Sequence, residues 1–268
     1  MSAPRVAVVQ FPGVNCEAET VRGLGRAGLT AEVFRWTRPV GELRGYQAYV
    51  LPGGFSWQDR VRAGALSAKD ALMEALADEA GARGKPVLGI CNGAQVLVEA
   101  GLVPGGEGVA LALARNRMRG RSGYFAHWIH VRVERSACVF TRDLPAGTVL
   151  PLPVAHGEGR FTSGDPGRMA ALLDAGQVPL RYALADGARA TDFPEDPNGS
   201  ELGAAAACNA AGNVLAMMPH PERASFFWQF PDWTSVGRTP QDASYRDGKR
   251  EDGLRLFKGL VQTAGRSI

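Results

Sequence analysis

What most constrains this 268-residue chain is a series of short apolar segments bounded by glycine and proline. Val6 to Phe11 ends at Pro12-Gly13, Ala48 to Leu51 ends at Pro52-Gly53-Gly54, and Pro86 to Ile90 follows Gly84-Lys85. Segments this short and this uniformly apolar read as parallel strands buried on both faces. Ala31 to Trp36 supplies a further strand. Between them, Asn15 is the expected N-cap of a helix that holds Val21 and Leu24 and closes near Gly28. A helix over Ser67 to Arg83 gathers Ala71, Leu72, Ala75, Leu76 and Ala80 at helical spacing, and another runs from Gly93 to Ala100. The order β-α-β-β-α-β-α predicts an α/β chain: a mostly parallel open sheet flanked by helices.

The middle of the chain changes character. Tyr124 to Glu134 and Val149 to Ala155 look like strands, with proline and glycine frequent between them, which predicts an antiparallel extension of the same sheet. The tail carries an aromatic cluster (Phe226, Phe227, Trp228, Phe230, Trp233), a polar stretch, and an amphipathic helix from about Asp252 to Thr263. With 45% hydrophobic residues and no internal repeat, one domain over 1–268 is expected.

The net charge of +3 is mild, and the one basic cluster, Arg115, Arg117, Arg119 and Arg121, lacks the aromatic interleaving of a nucleic-acid surface. No apolar run spans a bilayer, and Met1 to Arg5 leads into a strand without signal- or transit-peptide character, so a cytoplasmic location is expected. Neither nucleic acid nor membrane is an expected partner. The four cysteines, at 16, 91, 138 and 208, form no CxxC pair. No metal site or disulfide framework is therefore expected, and each is a core hydrophobe or a reactive thiol.

One of them stands apart. Gly89-Ile90-Cys91-Asn92-Gly93 lies between a predicted strand and a predicted helix, where a nucleophile must occupy a sharp turn and small neighbours leave room for it. The amides and dipole of the following helix favour a thiolate and an oxyanion. By itself the pattern equally describes a buried cysteine in a glycine-containing turn. Met218-Pro219-His220-Pro221-Glu222 adds what a cysteine hydrolase needs: an imidazole to move the proton and a carboxylate to orient it. Leu51-Pro52-Gly53-Gly54-Phe55 adds backbone amides able to approach a ligand, suited to an oxyanion hole shared with the Asn92 N–H. His156 and Glu158 form a second His-x-Glu pair. His127 and His130 read as structural or interfacial residues, Cys16 as a small packed residue, and Cys138 and Cys208 as core.

Together these segments resemble the class I, triad-type glutamine amidotransferases, whose pattern is PGG, then G-x-C-x-G-x-Q, then a late H-P-E; Gln95 completes the middle motif. The resemblance extends to the PurQ family, the glutaminase subunit of phosphoribosylformylglycinamidine synthase. It rests on Phe11 to Cys16 (FPGVNC), Pro52 to Ser56 (PGGFS), Arg62 to Ala65 (RAGA), Gly89 to Gly93 (GICNG), Pro153 to Arg160 (PVAHGEGR), Pro197 to Ser200 (PNGS) and Met218 to Arg223 (MPHPER). It covers about residues 5–224, leaving 225–268 as a C-terminal extension. Two positions depart from the family pattern: Trp57-Gln58-Asp59 stands where Tyr-Gly-Asp is common, and Ala126-His127 where a Cys-Arg pair is expected.

The resemblance implies a flavodoxin-like class I amidotransferase fold, with Cys91 as nucleophile, His220 as general base and acid, and Glu222 orienting His220. Gly54 and Asn92 would give oxyanion amides. Gly53, Phe55, Gln95, His156, Gly157 and Glu158 become candidates for holding L-glutamine. The chain would need no cofactor of its own. It has no P-loop, and ATP and Mg²⁺ would belong to a large synthetase subunit, joined to this one through a small bridging PurS-type subunit. The residues alone leave two other readings open: an amidase or amidotransferase serving a different substrate, and a non-catalytic regulatory subunit that keeps the fold.

Overall fold

A computed structural model describes residues 3–234 and 251–264. Most of the expected polar stretch, together with both chain ends, lies outside the described residues. The first half holds β1 (Arg5–Gln10), α1 (Glu17–Arg26), β2 (Thr30–Arg35), β3 (Ala48–Leu51), α2 (Ala71–Gly81), β4 (Val87–Ile90) and α3 (Asn92–Glu99). There follow β5 (Ala112–Ala114), β6 (Phe125–Val133), β7 (Val149–His156), β8 (Arg160–Thr162), α4 (Arg168–Asp174), β9 (Leu180–Ala183), β10 (Ala204–Cys208), β11 (Val214–Met217) and α5 (Asp252–Ala264).

Nine strands form one sheet in the order β2-β1-β3-β4-β11-β10-β9-β6-β7, and β5 pairs with β8 apart from it. The block β2-β1-β3-β4-β11 is parallel throughout, and beyond β11 every pairing is antiparallel. The order 2-1-3-4 followed by a fifth parallel strand is that of flavodoxin-like sheets, and the antiparallel half is the predicted extension. Burial follows the same division. Every residue of β3, β4 and β11 is buried, as strands covered on both faces require. Along β7 burial alternates residue by residue, the signature of a strand covered on one side.

Two helix starts differ from expectation. The N-cap of α1 is Cys16, not Asn15, and makes no side-chain cap. The Asn15 and Cys16 amides both donate to the Gly53 carbonyl, at 3.3 and 3.2 Å, which fixes this loop against the end of β3. The helix expected over Ser67 to Arg83 divides at Asp70. That residue is extended (φ −74°, ψ 146°) and its carboxylate accepts from the Leu72 N–H at 2.9 Å, so α2 starts after it. In the tail, α5 buries Leu254, Leu256, Phe257 and Leu260, and Phe230 packs on Trp128 with ring centroids 4.9 Å apart. Among the described residues, no helix is long and apolar enough to cross a membrane.

Candidate active site

The loops leaving β1, β3, β4 and β11 all emerge at the carboxyl edge of the parallel block, where open α/β sheets bind their ligands. Cys91 occupies the junction between β4 and α3 with φ 51° and ψ −106°, a conformation that L-residues rarely adopt. Such strain survives only where the surroundings enforce it. Here the Cys91 N–H donates to the Met217 carbonyl of β11 at 2.8 Å, and its own carbonyl accepts from Gln95 at 3.1 Å. The flanking glycines are required by contact: a Cβ on Gly93 would lie 1.9 Å from the Leu51 carbonyl oxygen, and one on Gly89 would lie 2.6 Å from that of Gly93. The helix start is thus pressed onto β3, which lifts the Cys91 side chain into the crevice. Its Sγ lies 3.6 Å from the Ala155 carbonyl.

His220 follows β11 in extended conformation, held by its N–H on the Pro153 carbonyl at 2.8 Å, and a 3₁₀ turn over Pro221–Ala224 then turns Glu222 back onto it. His220 Nδ1 and Glu222 Oε1 are 2.5 Å apart, and both residues are buried. Burial opposes a charged imidazole. The Glu222 carboxylate, with Cys91 and Cys16 adding to it, outweighs that and holds the His220 pKa well above its ordinary value. With Nδ1 committed to Glu222, Nε2 has no hydrogen-bond partner among the described residues. The turn is buttressed by the tail: Gln229 donates to the Glu222 carbonyl at 3.1 Å, Ser225 Oγ to the Pro221 carbonyl at 2.8 Å, and Gly253 of α5 packs against Pro221.

These groups surround a cavity of about 290 Å³. Of the predicted residues, Cys91, His220, Gly54, Phe55, Gln95, His156, Gly157 and Glu158 line it, while Gly53, Asn92 and Glu222 stand behind it. Asn92 holds the wall together: its Oδ1 accepts from the Ser56 N–H at 3.0 Å and its Nδ2 donates to Asp59 and Gln95. Its own N–H opens the first turn of α3, where amides have no intrahelical partner. Gln95 Nε2 donates to the Glu158 carbonyl at 2.6 Å, so this side chain braces α3 against the 157–158 loop. The Phe55 N–H is taken by the Gly13 carbonyl, and its ring is half-exposed, 6.3 Å from that of Tyr124 at the mouth. His156 Nδ1 lies 3.1 Å from Asn116 Oδ1. Burial, with the His220 charge added, pushes the His156 pKa down to about 3, so this ring is neutral and unsuited to act as a base at neutral pH.

Cys16, Asp59, Tyr124 and Arg223 also line the cavity, although the sequence marked none of them as site residues. Burial, and then the Glu158 charge, raise the Asp59 pKa, which places two acidic groups on one wall. Both Asp59 and Cys16 sit in or beside family motifs, so position within PGGFSWQD and FPGVNC was the available signal. Cys16 is packed as expected, yet its Sγ faces the site and accepts from Arg223 at 3.1 Å. His127 is exposed beside Phe125, and Cys138 and Cys208 lie in the core.

Comparison with known proteins agrees with this geometry. Residues 3–262 match the model of the CobB/CobQ-like glutamine amidotransferase domain. The phosphoribosylformylglycinamidine synthase subunit PurQ of Methanothrix thermoacetophila is 47% identical over 234 residues, covering 85% of this chain and 89% of the relative. That of Thermus thermophilus is 46% identical over 263 residues, 98% of this chain and 100% of the relative. A chain in the structure of PurLQS from Thermotoga maritima superposes with a TM-score of 0.72 at 30% identity, covering 97% of this chain and 98% of that one. With a glutamine amidotransferase domain matched nearly end to end and PurQ relatives this similar along most of its length, the chain belongs to the PurQ family of class I glutamine amidotransferases.

Proposed function

We propose that this chain hydrolyses L-glutamine to glutamate and ammonia, and that the ammonia passes directly to a synthetase partner making formylglycinamidine ribonucleotide in purine biosynthesis. The observation that carries the chemistry is the convergence of Cys91, on its strained turn, with the buried His220–Glu222 pair at one cavity. With His220 held charged, its Nε2 already carries the proton given up by Cys91, so the sulfur attacks the side-chain carboxamide as a thiolate and Nε2 gives that proton to the departing ammonia. Glu222 on Nδ1 keeps Nε2 available and stabilises the imidazolium. The Gly54 and Asn92 amides receive the oxyanion, each such donor being worth about 3–4 kcal/mol. Water then cleaves the γ-glutamyl thioester. The acidic wall of Asp59 and Glu158 suits the substrate's ammonium group.

Free ammonia would be protonated in water and lost as a nucleophile, so the reaction needs a closed path into a partner. The PurQ relatives are named as synthase subunits, and the Thermotoga maritima structure is of PurLQS. The corresponding assembly here would join this chain to a large ATP- and Mg²⁺-using subunit and a small bridging subunit, with no cofactor held by this chain. The test is reconstitution with those subunits and Cys91→Ala. Glutamine-dependent synthesis should vanish while synthesis from added ammonium salt persists. Glutamine-dependent synthesis at the parent rate by the variant would refute the reading.

A further inference from the structure

Cys16 and His220 lie 204 positions apart in the chain yet share one point of the cavity. A Cβ on Gly53 would lie 2.8 Å from His220 Cε1, 3.1 Å from Cys16 Sγ and 3.5 Å from Cys91 Cβ, so three side chains of metal-ligand type converge where glycine leaves room. The potential ligand atoms of Cys16, His220 and Glu222 all fall within 4.8 Å of one another. Zinc–sulfur bonds of about 2.3 Å and zinc–nitrogen bonds of about 2.0 Å set tetrahedral ligand atoms roughly 3.5 Å apart. Cys16 and His220 are therefore spaced nearly as metal ligands, and the Cys91 side chain adjoins them at Gly53.

We infer that Cys16 Sγ and His220 Nε2, joined by Cys91 Sγ, form an inhibitory site for a thiophilic divalent cation, Zn²⁺ above all. His220 is 2% exposed and its Nε2 has no hydrogen-bond partner among the described residues, while Nδ1 faces the Glu222 carboxylate. A histidine whose far nitrogen is fixed on a carboxylate is the usual form of a zinc-ligating imidazole. Cys91 reaches the cation by releasing its long 3.6 Å contact with the Ala155 carbonyl. Two sulfurs and one nitrogen select Zn²⁺ over Mg²⁺ or Ca²⁺, which prefer oxygen. Arg223 donates to Cys16 and opposes a cation there, but its charge is met by Glu19 at 2.9 Å and by Glu222 at 3.9 Å. Binding releases two protons to solvent, the Cys16 thiol proton and the one that Cys91 has passed to His220 Nε2, and occupies the nitrogen that carries the proton in the proposed chemistry. Cys16 neither attacks the substrate nor carries its proton, which makes it the ligand that separates metal binding from the chemical step.

The chain is titrated with Co²⁺ as a spectroscopic stand-in and with Zn²⁺ by calorimetry, and glutaminase activity is followed in the reconstituted complex. The expected result is one ion per chain, a thiolate-to-cobalt charge-transfer band, and loss of activity with Zn²⁺ that a chelator reverses. Whatever turnover it retains, Cys16→Ala should need at least tenfold more Zn²⁺ for half-inhibition and should bind Zn²⁺ at least tenfold more weakly by calorimetry. Should Cys16→Ala fold poorly, protection of Cys16 from alkylation by one equivalent of Zn²⁺ in the unaltered chain identifies the same ligand. Absence of the charge-transfer band, equal Zn²⁺ sensitivity in Cys16→Ala, or unprotected Cys16 would each overturn the inference. The binding measurements stand apart from catalysis, so a failure of the glutaminase reading would show separately, as an inactive complex that still binds the ion.

Discussion

Replacing Gly93 by alanine tests why the cysteine turn needs its glycines. The added Cβ would lie 1.9 Å from the Leu51 carbonyl oxygen and 2.6 Å from its carbon. Carbon–oxygen contacts in proteins close to about 3.3 Å, so α3 would have to retreat from β3 by about 1.4 Å. Leu51 cannot yield instead, because it is paired with Gly89 inside a wholly buried strand. Overpacking usually costs about 1–3 kcal/mol, and a clash with backbone belongs at the upper end, about 3 kcal/mol. The same displacement moves Cys91, at the head of α3, relative to His220. A misplacement of about 1 Å is enough to lower turnover by about a hundredfold. Urea unfolding gives the first quantity from the midpoint at unchanged slope, and glutamate release by the assembled complex gives the second. Gly25→Ala, in α1, is the control, since a Cβ there meets nothing within 4 Å among the described residues. It should gain up to about 1 kcal/mol from helix propensity. If Gly93→Ala kept its stability within about 0.5 kcal/mol and its full turnover, the close approach of α3 to β3 would not be what shapes the site.

Three further outcomes are expected. Glu222→Gln keeps an acceptor for Nδ1–H but removes the charge, so kcat should fall by about 10²–10⁴ and the His220 pKa, followed by NMR, should drop; an unchanged kcat would remove Glu222 from the mechanism. His156 has a depressed folded pKa of about 3, so its contribution to stability is present above about pH 6.5 and lost as pH falls, at up to about 1.4 kcal/mol per pH unit. Unfolding measured from pH 6.5 to 4 should be less steeply pH-dependent in His156→Gln, His220 being common to both proteins; identical slopes would contradict the neutral, buried His156. Gln58 is exposed and left-handed, at φ 60°, where the family commonly has glycine. Gln58→Gly should leave stability equal or raise it by up to about 1 kcal/mol, and a loss larger than that would show that its side chain matters.

The sequence disclosed β1, β3 and β4 because they are largely apolar runs cut by glycine and proline, and those breaks mark the loops that build the site. Cys91 was legible for the same reason, sitting at the end of such a run, and His220 and Glu222 by their His-x-Glu spacing in Met218 to Glu222. The antiparallel half was only partly legible. β10 is Ala204 to Cys208, four alanines and a cysteine, which carries no strand propensity and becomes a strand through burial between β9 and β11. β5 and β8, of three residues each, fall below any readable periodicity. Side-chain roles were the least visible. Gln95, expected to hold substrate, braces the Glu158 carbonyl, and Cys16 faces the site although its position in the chain gave no sign of His220 or Arg223 nearby. The tail's place behind the Pro221–Ala224 turn depends on contacts such as Gln229 with Glu222, which no local pattern announces.

Cys91 as the attacking thiol is the central claim, and covalent trapping tests it most directly. The assembled complex is treated with diazo-oxonorleucine, an electrophilic glutamine analogue, digested, and mapped by mass spectrometry. A single adduct on Cys91, prevented by excess glutamine, is the predicted result. An adduct on Cys16, whose sulfur faces the same cavity, or on any other residue would contradict it.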